Sequence, residues 1–162
     1  TLSSSSAASD VYKRQVADNI AYGAAGATDA EVQAAVERIG ALGVIGTIPG
    51  GFNARVGERG RGLSSGQRQI IALARAEMLE PAVLLLDEAT ATLDPATERA
   101  VLDASDKAMA GRTSVVVAHR LATAARADRI LVIDEGRIIE DGCHEDLISA
   151  GGRYAHMWAV NR

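Results

Sequence analysis

The sequence predicts an α/β fold with a largely parallel sheet, on three observations. Short aliphatic runs, Val83-Leu84-Leu85-Leu86, Ser114-Val115-Val116-Val117-Ala118 and Ile130 to Ile133, read as strands, and helical stretches separate them. Runs this uniformly apolar read as strands covered on both faces, as parallel sheets are. The polar residues that follow two of them, Asp87-Glu88 and His119, fall at the carboxyl ends of strands, where such sheets place their chemistry.

Each element has a local cause. Thr28-Asp29-Ala30-Glu31 is a capping box, and Val32, Ala35, Val36 and Ile39 follow at helical spacing before Gly40. Residues 41–62 are glycine-rich with few periodic apolar positions and are expected to be mostly loop. Ser64 and Gln67 form a second capping-box pair. The helix they open is expected to bury Ile70, Leu73, Ala74 and Met78 and to stop before Pro81. Asp94-Pro95 is an N-cap followed by proline at the first helical position, and Gly111 closes that helix. A short helix is expected over 121–127. Asp134-Glu135-Gly136-Arg137 predicts a hairpin turn, and the chain from His144 reads as helical with a break at Gly151-Gly152.

Composition narrows the function. The 162 residues amount to one domain, and the net charge of −4 argues against a nucleic-acid partner. The longest aliphatic run falls far short of the roughly 20 apolar residues a membrane span needs. No signal-peptide pattern is visible. Cys143 is the only cysteine, so no internal disulfide can form.

Three places carry chemistry. Asp87 and Glu88 put two carboxylates at a sheet edge, where one can hold Mg²⁺ through water and the other can orient or deprotonate an attacking water. Ser64, Ser65 and Gly66 open a helix whose unpaired amides and dipole favour a phosphate, and glycine would let it approach closely. His119 can donate a hydrogen bond to a phosphate oxygen. Blander readings stand beside these: a strand-end acid, a well-capped helix, a structural histidine. Gly62-Leu63-Ser64-Ser65-Gly66 also matches G-x-S-x-G, the nucleophile elbow of serine hydrolases, but polar, glycine-rich residues precede it where a buried strand is required. His144, Glu145 and His156 lack metal-ligand spacing.

The ordered stretches LSSGQ (63–67), VLLLDEATATLD (83–94) and VVVAHR (115–120) resemble the ATP-binding-cassette ATPases. Leu63 to Gln67 is similar to the family signature motif, Val83 to Asp87 to the Walker B strand and Glu88 to the catalytic glutamate. Ala91 to Asp94 resembles the D-loop and His119 the switch histidine. VADNIAYG (16–23) and VGERG (56–60) resemble stretches of the exporter branch. Ser65 departs from the signature, which more commonly has glycine there. The resemblance implies a P-loop NTPase-type parallel sheet with a helical signature subdomain. It further implies two such domains paired head to tail with ATP at their interface, on the cytoplasmic face of a membrane, driving a transmembrane domain. Ser64, Ser65 and Gly66 would contact the γ-phosphate held by the opposite subunit, and Asp94 would face the dimer partner. Asp87 would hold Mg²⁺, Glu88 would polarise water and His119 would contact the γ-phosphate. A non-transport relative acting as an interaction module is the other reading, but no sustained heptads flank the motifs.

The G-x-x-x-x-G-K-[ST] phosphate cradle is absent: neither Lys13 nor Lys107 follows the required glycines. The stretch SSAASDVYKRQ (5–15) resembles the in-frame translation of a transposon-based sequencing adapter. On this reading residues 1–15 are a non-native tail in which Lys13, Arg14 and Gln15 have no role. Residues 16–80 are expected to form the signature subdomain and 81–162 the C-terminal half of an ATPase core. Such a fragment is expected to be inactive alone.

Overall fold

The computed structural model describes residues 15–57, 60–87 and 93–161. Lys13, Arg14, Glu58, Arg59, Glu88, Ala91 and the adapter-like stretch up to Arg14 lie outside the described residues. The described residues form two compact units, one lying within 1–84 and 91–114, the other within 85–90 and 115–162. Among the described residues no helix is long and apolar enough to cross a membrane.

The first unit is mainly helical: α1 (Val16–Ile20), α2 (Asp29–Arg38), α3 (Leu42–Gly46), α4 (Ser65–Leu79) and α5 (Pro95–Met109). Gln15, expected to have no role, is the N-cap of α1. Its N–H donates to Asp18 Oδ2 (2.9 Å) and its carbonyl accepts from Asn19 Nδ2 (2.9 Å). In α2 the expected box is present: the Glu31 carboxylate accepts the Thr28 N–H at 2.7 Å, and Thr28 Oγ1 accepts the Glu31 N–H. The segment expected to be loop holds α3 and a 3₁₀ turn, Gly51–Asn53. A five-residue helix cannot stand on propensity; α3 is held by burial of Ala41, Ile45 and Ile48.

The hub of this unit is α4, which packs against α1, α2, α3 and α5. It buries Ile70, Ile71, Leu73 and Ala74. Met78, expected in this core, is only half-buried, and Glu77 is buried instead. Its carboxylate accepts from Arg38 Nε of α2 at 2.7 Å and from Arg112 Nη2 at 2.9 Å. Two guanidinium partners make burial of this charge tolerable. Residue Glu80 ends α4 in the left-handed conformation, φ 42°, directly before Pro81.

Strands β1 (Val83–Asp87) and β2 (Thr113–Val117) pair in a short parallel sheet, with α5 as the crossover. They are not covered on both faces as expected. Leu84 is buried, but Val83 and Leu85 are 59% and 70% exposed, and Val115 and Val117 52% and 50%. The sequence has apolar residues for two buried faces, and the described residues supply cover for one.

In the second unit β3 (Ile130–Asp134) and β4 (Arg137–Gly142) form an antiparallel hairpin, joined at Glu135 and Gly136, both with positive φ. Two positive-φ central residues match the right-handed twist of the strands. Helices α6 (Leu121–Ala124), α7 (His144–Ala150) and α8 (Arg153–Val160) complete the unit. Ile130, Val132, Leu147 and Tyr154 form its core. Ile133 pairs with Ile138 but Val132 pairs with Glu140, so Ile139 is an inserted bulge residue. That one residue turns Glu140 toward the core face. There its carboxylate accepts the N–H groups of Arg153 and Tyr154 at the start of α8. A methyl group at 152 would overlap Glu140 Oε1 and would have to displace this carboxylate.

Two outcomes are expected. Glu77→Ala leaves Arg112 (side chain 17% exposed) without its partner, and should lower unfolding free energy by about 3 kcal/mol in denaturant titration. Glu77→Gln, which keeps one acceptor, should cost less. The uncovered faces of β1 and β2 should make the chain self-associate as concentration rises. Sedimentation showing a monomer at every concentration would contradict this.

Candidate functional site

The turn Leu63 to Gln67 sits at the amino end of α4 and is held on several sides. Ser64 Oγ accepts the Gln67 N–H at 3.1 Å, and Gln67 Oε1 accepts the Ser64 N–H at 2.9 Å. Gln67 Nε2 also donates to Thr47 Oγ1 (3.1 Å), tying the turn to the residue after α3. The Leu63 carbonyl accepts from Arg68 Nη1 at 2.7 Å. Gln67 thus holds both the cap and the tie to Thr47. Helix geometry leaves the Ser65 and Gly66 amides without intrahelical partners, the arrangement that suits an anion. A groove of about 230 Å³ runs beside the turn, lined in part by Val44, Thr47, Ser64, Gln67 and Thr97.

This geometry is unlike a nucleophile elbow. Residues 60–63 form turns rather than a strand, and Ser64 Oγ accepts a backbone N–H as a helix cap. Asp94 is a capping carboxylate. Its Oδ1 accepts the N–H groups of Ala96 (3.1 Å) and Thr97 (3.0 Å) as α5 begins. The Thr97 hydroxyl, and after it the Thr97 N–H, hold its carboxyl below the usual value.

In the second unit, Asp87 closes β1 and His119 follows β2, and the paired strands bring them together. His119 Nε2 lies 3.6 Å from Asp87 Oδ1, ion-pair range when the imidazole is protonated. Both side chains are exposed. Glu88 lies outside the described residues. No cluster of three metal-ligating side chains occurs among the described residues. His144, set aside as a ligand from sequence, has Nδ1 2.8 Å from the hydroxyl of the buried Tyr154 and packs edge-on against Trp158. Burial raises the Tyr154 pKa.

Sequence reasoning missed Thr97. Gly66 is buried, and a methyl group built on it would overlap Thr97 Cγ2 and lie 3.5 Å from Leu93 Cδ2. The only sequence signal was position: Thr97 stands three residues after the Asp94 cap.

Residues 3–91 match the family model described as ABC transporter. The match begins inside the Ser-rich stretch that precedes Val16. The chain is 48% identical over 151 residues to a Mycobacterium bovis "Multidrug efflux ATP-binding/permease protein", covering 93% of the chain and 13% of that relative. It is 46% identical over 152 residues to the Homo sapiens "ATP-binding cassette sub-family B member 6", covering 94% of the chain and 18% of that relative. Its fold matches a solved bacterial Atm1-family ABC exporter with ATP bound, at TM-score 0.80 and 43% identity, over 93% of the chain and 26% of that structure's chain. The chain thus spans less than a fifth of the length of these two curated relatives. The matched sequence and the shared fold agree, and the chain belongs to the ABC transporter family.

Proposed function

We propose that this chain is the signature-bearing and hydrolytic part of the ATPase domain of an ABC exporter, which couples ATP hydrolysis to substrate transport across a membrane. The observation that carries the reading is the meeting of Asp87 and His119 at the ends of paired strands, 3.6 Å apart. The exporter names of the relatives support the direction of transport.

The residues fit the groups such a reaction needs. One exposed carboxylate, Asp87, with no cluster of three ligands around it among the described residues, suits Mg²⁺, which keeps most of its water and is held through one or two carboxylates. When bound with ATP, Mg²⁺ neutralises charge on the phosphate oxygens during transfer. His119 donates to the γ-phosphate. Glu88, next in sequence to Asp87, orients the attacking water and accepts its proton. The Ser65 and Gly66 amides, with the Ser64 hydroxyl, serve the nucleotide bound by a second such domain arranged head to tail. Ser65, in place of the commoner glycine, adds a hydroxyl without removing an amide. Asp94 caps α5 where the D-loop ends and faces the same partner. A transmembrane domain receives the motion, with the ATPase on the cytoplasmic side.

Within these 162 residues no lysine follows the G-x-x-x-x-G of a phosphate cradle. The chain alone is therefore expected neither to bind ATP measurably nor to turn it over. Magnesium-dependent ATP binding at micromolar affinity in calorimetry would overturn that half-site reading. In the full-length protein, Glu88→Gln should slow ATP turnover by about 10²–10⁴-fold while nucleotide binding persists. Unchanged turnover would remove Glu88 from its assigned role.

A further inference from the structure

We infer that Thr97 is a positioning residue for the signature turn. Its methyl group and Leu93 seat against Gly66 and lock the amino ends of α4 and α5 into one joint. This rests on the ATPase reading above only for its consequence in turnover.

The argument starts from why residue 66 is glycine. Its backbone is helical rather than left-handed, so conformation does not demand glycine. A close approach by phosphate was the expected reason. The geometry gives another: the missing Cβ points at α5, into Thr97 Cγ2 and Leu93 Cδ2. Helix-to-helix contact excludes a side chain here.

Thr97 cannot easily yield. It is β-branched, so few rotamers are open to it. Its backbone N–H donates to Asp94 Oδ1 at 3.0 Å, which ties its Cα to the cap of α5. On its other side the turn is held by Gln67 Nε2 on Thr47 Oγ1. A shift of Asp94 therefore passes through Thr97 to the first turn of α4, whose Ser65 and Gly66 amides are those offered to phosphate. The two elements that face the dimer partner move as one.

The test is hydrogen exchange by mass spectrometry on the chain at low concentration, comparing Gly66→Ala, Thr97→Ser and the double variant. Thr97→Ser deletes the obstructing methyl and keeps the hydroxyl. Gly66→Ala should raise exchange about tenfold in segments 64–68 and 94–98 together, in keeping with an overpacked contact. Adding Thr97→Ser should return both segments to the original rates. A rise confined to one segment, or a folded double variant that stays fast, overturns the joint. Should Gly66→Ala fail to fold, the double variant decides alone: original exchange at 64–68 supports the joint, and failure to fold overturns it. In the full-length protein Gly66→Ala should lower ATP turnover about tenfold, with Thr97→Ser restoring it. If exchange follows this pattern and no ATPase is found, the joint stands and the ATPase reading fails.

Discussion

The carboxylate of Glu77, clamped between Arg38 and Arg112, is the contact on which the helical unit depends. It joins α2, α4 and the segment leading into β2 at one buried point. A charge here is costly unless both sides are answered, so neither arginine can move without exposing the cost. The apolar face of α4 supplies most of the burial, and the ion network decides how its neighbours are arranged around it. Because α4 is continuous from Ser65 to Leu79, a fixed Glu77 near one end also fixes the direction in which the other end points. That other end is the turn from Leu63 to Gln67.

Local chemistry was legible in the sequence wherever a few adjacent residues decide the outcome. The boxes Thr28/Glu31 and Ser64/Gln67, the Asp94-Pro95 start and the Asp134–Arg137 turn all formed as their residue types dictate. Contacts between distant residues were not legible. Glu77 lies 39 residues from Arg38 and 35 from Arg112, so its burial looked like a break in the apolar stripe. Helix α3 was invisible for the same reason: Ile45 and Ile48 need a core supplied by other segments.

The site followed the same division. Residue types and order located Ser64, Gly66, Asp87 and His119 at helix and strand ends. What they could not supply was the cause for each type. Gln67 carries a cap and a tie to Thr47, and Gly66 makes room for Thr97. The exposed valines of β1 and β2 had read as core because apolar composition says how much surface wants burial, not which surfaces a given stretch of chain supplies.

The bulge at Ile139 sets a tolerance of an unusual kind in β4. Glu140 reaches α8, and Gly142 makes room for Leu147, because Ile139 stands outside the ladder and leaves Glu140 opposite Val132. Exchanging one β-branched side chain for another at 139 leaves that phase intact. Pairing Ile139 with Val132 instead would bring Ile139 and Asp141 to the inner face and strand the amino end of α8 without its carboxylate. Register is thus held more strictly than composition along this strand. A gap at 139 in a related sequence would restore a regular ladder with Glu140 still opposite Val132, so the anchor of the C-terminal helix survives loss of the residue but not loss of the phase.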